Sequence, residues 1–267
     1  MLFRSFVQKG AEAFVGAAED AAAMTRAFTG ATAVYAMIPP DMTSPDYRAY
    51  QERVSDSYAA AIEKGGVTHG VTLSSVGADK SETVGPVNGL HSFEQKLNRI
   101  ANLNVLHLRA GYFMENLFQY IKLIKSMGML AGTLKGDLPV PMIATRDIAA
   151  VTANALLRRD FSGKKTRELL GPRDVTHNAA AKIIGKAIGK DSLSYSQIPA
   201  IMIKGAMAVL GVSSDVGRLL LEMFEAMNSG WMRPLESRSA ENTTPTAIEQ
   251  FIAEEFIPRL QGKAAGV

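Results

Sequence analysis

The 267-residue sequence has no cysteine, which excludes disulfides, thiol nucleophiles and thiolate metal sites and makes a reducing cytoplasm the expected location. Its four histidines, His69, His91, His107 and His177, share no metal-ligand spacing, so no metal is expected. Long apolar runs are also missing: the stretch from Ala200 to Val212 is broken by Lys204 and Gly205 and is too short to cross a bilayer. The N-terminus, MLFRSFVQKGAEAF, has no continuous apolar segment and no cleavage site of the secretory type. Charge of one sign is scarce, with a net value of +3 from scattered residues, so neither a nucleic-acid stripe nor a polybasic membrane anchor is expected. A monomer or homodimer acting on a small molecule fits these absences best.

What the chain does have is alternation. Apolar β-type runs at 11–15, 33–38, 67–73 and 104–108 are separated by helical patterns at 21–28, 46–64 and 90–100. A further short helix is read over 2–9. Strand and helix in turn argue for right-handed crossovers, a mostly parallel sheet and the α/β class. The pattern then changes. Residues 117–126 read as helix, 128–135 as a short strand pair, 141–144 and 167–170 as strands, and 174–188 as a helix. Asp147 reads as the cap of a helix over 148–157, and Thr244-Pro245 as the start of the last helix. Residues 1–116, with parts of 139–172, are thus expected to form one domain, and the rest of 117–267 a smaller α+β lobe.

In an open α/β sheet, ligands sit outside the carboxyl ends of the strands. The turn after strand 104–108, Arg109-Ala110-Gly111-Tyr112-Phe113-Met114-Glu115-Asn116, is therefore the first place to look for function. With Leu108 it resembles the LRPGxFMEN segment of NmrA-like proteins, atypical relatives of the short-chain dehydrogenases. Met37-Ile38-Pro39-Pro40, Leu73-Ser74-Ser75-Val76-Gly77-Ala78, Arg146-Asp147-Ile148-Ala149 and Leu170-Gly171-Pro172 match the same family in order and spacing over residues 10–190. The resemblance implies a Rossmann-type domain, NADP or NAD as cofactor, and a C-terminal lobe over it.

Against that family the chain lacks the opening strand, the G-x-x-G-x-x-G turn, the first helix and the second strand. The resemblance therefore implies an N-terminally truncated sheet that binds nucleotide poorly or not at all. Strand 11–15 must then pair with strand 33–38 or lie detached, its backbone groups unpaired. In the adenine turn, Gly16-Ala17-Ala18-Glu19-Asp20, Ala17 cannot accept a hydrogen bond from its side chain, and Asp20 is left as a helix cap.

The resemblance places Met37, Ile38, Pro39, Ser74, Ser75, Gly111, Tyr112 and Phe113 against the cofactor, and Pro40, Val76 and Asn116 against the substrate. The Tyr-x-x-x-Lys pair of orthodox short-chain dehydrogenases is absent, because Ser92 stands in the tyrosine place before Lys96. His91 and Lys96 remain as catalytic candidates, Lys96 also as a ribose contact; Lys96 reads equally as a solvated residue on a helix face, His91 a little less readily so. Arg109 is expected to anchor the turn and His107 to be a satisfied core histidine, with His69 and His177 at the surface. The methionines near 127–129, 202–207 and 223–232 are expected to pack in the second lobe, where they would suit a flat apolar substrate. The activity the family implies is hydride transfer from NAD(P)H to a quinone-like or other conjugated acceptor. The alternatives are a non-catalytic NADP sensor and a truncated form unable to bind cofactor.

Overall fold

The computed structural model describes residues 6–263. Helix α1 (Ala21–Phe28) starts on Asp20, whose carboxylate accepts the N–H groups of Ala22 and Ala23. Strand β1 (Ala33–Ala36), helix α2 (Tyr47–Gly65), strand β2 (His69–Ser75), helix α3 (Val87–Asn98) and strand β3 (Asn104–Ala110) follow as the alternation predicts. Beyond a two-residue strand β4 (Tyr112–Phe113) come a 3-10 turn (Met114–Tyr120), α4 (Ile121–Met127), β5 (Leu130–Gly132), β6 (Val140–Ile143), α5 (Thr145–Arg158) and β7 (Lys164–Leu169). The chain finishes with β8 (Asp174–Val175), α6 (His177–Ala187), β9 (Tyr195–Gln197), α7 (Ala200–Val209) and α8 (Ser214–Asn228). A last helical stretch runs through α9 (Ile248–Phe251), a π turn (Ile252–Phe256) and α10 (Ile257–Leu260).

The main sheet is parallel, in the order β1-β2-β3-β7, with Val71 facing Leu106 and Leu106 facing Lys165 in register. Its two central strands, β2 and β3, are largely buried on both faces because helices cover both, with Val71, Leu106 and Leu108 toward α5 and the hydrogen-bonded Thr72, Ser74, His107 and Arg109 toward α3. On one face α2 and α3 bury Val54, Ile62, Phe93 and Leu97; on the other α5 buries Ile148 and Ala155. Helix α2 is defined at both ends by sequence, by Asp46 accepting the Ala49 N–H at 3.0 Å and by Gly66 in the left-handed region at φ +69°. Smaller pairs complete the chain: β4 with β6, β6 with β8, and β5 with β9. Phe251, Phe256, Leu117 and Ile184 lie in the core of this second part.

Several expectations are corrected. Residues 11–17 form no strand; Phe14 and Val15 are 44% and 92% exposed, and β1 has no partner on its outer edge among the described residues. With no neighbour to complete a ladder, this segment takes the detached course, its backbone left to water. The predicted helix over 2–9 lies partly outside the described residues; residues 6–8 are helical. Leu130–Gly132 pairs in parallel with distant Tyr195–Gln197, not within 128–135.

Asp147 lies inside the first turn of α5 and not at its cap. Its carboxylate receives the Thr246 N–H at 3.0 Å and the Thr246 hydroxyl at 2.7 Å, while Glu115 takes the Thr145 N–H and hydroxyl at the helix start. A tertiary donor has displaced the local one. Likewise Asp174–Val175 pairs with Val140–Pro141, and Thr176 caps α6 by accepting from Ala179. Thr244 donates its N–H and hydroxyl to the Leu170 carbonyl, so the last helix starts after Ala247 and not at Pro245.

Candidate active site

The carboxyl ends of β2 and β3, the β1–α2 connection and the segment after α8 enclose one cavity of about 830 Å³. Its rim toward the sheet is Met37, Ile38, Pro40, Ser74, Ser75, Val76, Gly111, Tyr112, Phe113 and Asn116. Ten of the residues that the sequence nominates thus meet at one place, although they come from three separate strand ends. Across from them stand Met207, Met223, Phe224, Met227 and Met232, contributed by α7, α8 and the loop that follows. The sequence marks that region only as methionine-rich. Thioethers are polarisable and conform to flat apolar bodies.

Three predicted residues lie elsewhere. Lys96 is on α3, but its ammonium reaches Glu52 Oε2 at 2.6 Å and Asp56 on the outer side of α2, so it is an ion-pair residue away from the cavity. The cause is the helix period, which puts Lys96 on the face that packs toward α2. His91 Nδ1 meets the Ala78 carbonyl at 2.8 Å and steadies the β2–α3 loop without lining the cavity. The Pro39 carbonyl accepts the Tyr50 hydroxyl at 2.8 Å, and its neighbours Ile38 and Pro40 line the cavity while Pro39 does not.

The rim is held by a buried ionic group beneath it. Arg109 donates from Nε to Glu94 Oε1 at 3.0 Å and from Nη2 to Oε2 at 2.6 Å, and the Ser74 hydroxyl donates to the same carboxylate at 2.6 Å. Burial works against the charge of Arg109, but the Glu94 hydrogen bonds and charge outweigh it and hold the guanidinium above its ordinary pKa. Arg109 therefore anchors the turn, as its sequence position suggests. Ser74 is committed to this group; Ser75 donates to the Val76 carbonyl at 2.9 Å. Gly111 is required for a reason other than a ligand, since a Cβ there would stand 2.2 Å from the Pro141 carbonyl oxygen of β6.

The far wall is fixed through Glu168, at the end of β7 and only 2% exposed. Its carboxylate accepts the Leu235 N–H at 3.0 Å and the Glu236 N–H at 2.9 Å. Burial raises its pKa despite those two donors. At the cavity floor Tyr112, Tyr120 and Tyr195 surround His177 with ring centroids 5.7, 6.2 and 4.9 Å away. His177 is not at the surface: it is fully buried, neither ring nitrogen has a hydrogen-bond partner among the described residues, and burial lowers its pKa to about 4. It caps no charge and replaces a core side chain in an aromatic nest. His107 is the satisfied core histidine expected, between Thr72 at 2.8 Å and Asn98 at 3.1 Å. His69 is half-buried with its Nδ1 on Thr68.

A parallel α/β sheet with an apolar cavity at its carboxyl edge defines the class: a small-molecule site of the open-sheet type. The chain belongs to the NmrA-like family, whose model matches residues 2–256. It is 29% identical over 181 residues to (4-alkanoyl-5-oxo-2,5-dihydrofuran-3-yl)methyl phosphate reductase of Streptomyces griseus, a match that covers 68% of this chain and 60% of that protein. With the NAD(P)H azoreductase of Xenophilus azovorans it shares 24% identity over 221 residues, covering 83% of this chain and 73% of the relative. Among solved structures, the triphenylmethane reductase of Citrobacter sp. complexed with NADP(H) superposes with a TM-score of 0.74, at 17% identity and over 92% of this chain and 85% of that one. The NADPH-dependent quinone oxidoreductase of Escherichia coli complexed with NADPH gives 0.71, at 19% identity, over 95% and 86%. These likenesses establish the Rossmann-like fold. Among the described residues no helix is long and apolar enough to cross a membrane.

The residues present fit one end of a dinucleotide. Met37, Ile38, Ser75 and Phe113 supply an apolar slot with a hydroxyl, suited to a nicotinamide ring. Neither connection beside that slot supplies a pyrophosphate cradle: the β1–α2 connection, 37–46, has no glycine, and both glycines of the β2–α3 loop are blocked. A Cβ at Gly77 would stand 2.7 Å from Met232 Cγ, and one at Gly85 would stand 2.0 Å from the Leu219 carbonyl oxygen.

Proposed function

We propose that the chain is an NAD(P)H-dependent reductase of flat, conjugated small molecules, and the observation that carries this reading is the apolar, methionine-walled cavity at the carboxyl ends of β2 and β3. Membership of the NmrA-like family supports it, as do relatives whose names describe reductases of an unsaturated lactone and of azo compounds. A bound nicotinamide supplies a hydride. The chain's own part is to hold the acceptor in a dry slot, with Met37 and Phe113 on the sheet side and Met223 and Phe224 opposite. Tyr112, whose pKa burial pushes up to about 12, keeps its proton at neutral pH and can donate a hydrogen bond to an acceptor carbonyl.

The test is cofactor oxidation at neutral pH with 2-methyl-1,4-naphthoquinone as acceptor, alongside calorimetric titration of NADPH, NADH and reduced nicotinamide mononucleotide. If the described residues hold only the nicotinamide end, the three bind weakly and within a few-fold of one another. A ten-fold preference for NADPH over the mononucleotide would show a phosphate site outside the residues named above. Absence of turnover with every acceptor and cofactor tried would refute the reductase reading.

A further inference from the structure

The cavity wall is uncharged at every lining position but one. Arg233 is the only charged residue that borders it among the described residues. Its guanidinium has no ion pair and no side-chain hydrogen bond among those residues; Arg26, Arg99 and Arg167 also lack ion pairs, but none of these borders the cavity. Glu236, the acid nearest in sequence, and the buried Glu168 are already engaged. Glu168 is filled by two backbone N–H groups, and Glu236 accepts the Asn242 amide at 3.2 Å.

The backbone that carries Arg233 is pinned on both sides. Upstream, the Met232 N–H donates to the Ala226 carbonyl at 2.9 Å, and the Met232 side chain covers Gly77, which has φ +91° and leaves room for it. Downstream, Pro234 restricts the chain and Leu235 and Glu236 are tied to Glu168. An exposed planar cation is thus carried by a pinned stretch of backbone at the edge of an apolar chamber. Such a cation is paired most favourably by an anionic oxygen group that accepts two of its N–H bonds.

We propose that Arg233 determines specificity: it receives a single anionic substituent, a carboxylate, sulfonate or phosphate, on an acceptor whose body is flat and apolar. This rests on the reductase reading and narrows it, since the chamber takes the conjugated body and Arg233 the charge. The residue is a binding group and takes no part in hydride transfer.

The test is calorimetric binding of anthraquinone-2-carboxylate and of its neutral counterpart 2-(hydroxymethyl)anthraquinone to the whole chain. The reading is the ratio of the two Kd values. The native protein should prefer the carboxylate by about ten-fold, the scale of one charge-assisted contact at a partly solvated site. In Arg233→Met the ratio should fall close to one, and in Arg233→Lys it should be intermediate, because an ammonium keeps the charge but loses the two-pronged geometry. Raising the salt concentration should lower the native ratio and leave that of Arg233→Met unmoved. A native ratio near one, a ratio unchanged by Arg233→Met, or no binding of either compound overturns the proposal. Because binding is read without turnover, a ratio that shifts as expected in a protein that oxidises no cofactor supports this site and refutes only the reductase reading.

Discussion

Glu94 and Arg109 meet through two parallel hydrogen bonds, one from Nε to Oε1 and one from Nη2 to Oε2, with the Glu94 side chain 2% and the Arg109 side chain 14% exposed. The pair lies directly below the cavity rim, where Ser74 joins it. Glu94→Gln would leave the guanidinium buried and uncompensated. A loss of about 3 kcal/mol in unfolding free energy is expected, read from the urea midpoint at constant m. The double variant Glu94→Gln with Arg109→Met should recover part of that loss, because it removes the orphaned charge as well.

Gly111 is needed for space. A Cβ there would meet the Pro141 carbonyl oxygen at 2.2 Å, and both atoms belong to the β3–β4 and β6 backbones, which cannot yield separately. Gly111→Ala should therefore lower Tm by several degrees, corresponding to about 2 kcal/mol or more. An unchanged Tm in a thermal melt would show that β4 and β6 shift apart freely.

Acid should destabilise the fold through its buried histidines. Burial lowers both His107 and His177 from an ordinary value near 6.5 to about 4. Between those limits the unfolded chain binds protons that the folded chain does not, so stability falls as pH drops from 6.5 toward 4, by on the order of 3 kcal/mol for each group. Above pH 6.5 neither contributes. His177→Phe fits the aromatic nest and removes two unpartnered ring nitrogens, so the pH slope of the unfolding free energy should fall by roughly half within that window. Urea unfolding at stepwise pH values measures it.

Lys96 and His91 serve as controls on the site. Lys96 pairs with Glu52 and Asp56, and His91 binds the Ala78 carbonyl. Lys96→Met should cost under about 1 kcal/mol, as partly exposed pairs do, and leave cofactor oxidation within two-fold of the native rate. A ten-fold fall in kcat for Lys96→Met would place its ammonium at the reacting atoms and contradict the geometry described.

The rim of the cavity is legible in the sequence because it is local: a strand ends, a short polar or glycine turn follows, and that turn faces the crevice. Ser75, Val76, Gly111 and Phe113 are read this way. The opposite wall is legible only as methionine-rich segments near 202–207 and 223–232, without its place against the sheet. Met232 and Arg233 lie just before Leu235 and Glu236, whose N–H groups Glu168 binds, a long-range tie with no local signature. The same cause explains Asp147 and Thr244, which carry the residue types of helix starts but are used by distant partners. Local rules give the strands and helices, and the side chains spent on tertiary ties escape them.

The tie between Asp147 and Thr246 also joins the first turn of α5 to a segment far along the chain. The two residues are 99 positions apart, and Leu170 is likewise tied to Asn242 and Thr244, to which it gives its N–H and carbonyl. The strands of the main sheet all lie before residue 170, yet the carboxylate in the first turn of α5 takes its donors from residue 246. A chain cut before residue 242 would therefore keep every strand of the main sheet but leave the Asp147 carboxylate and both backbone groups of Leu170 without these partners.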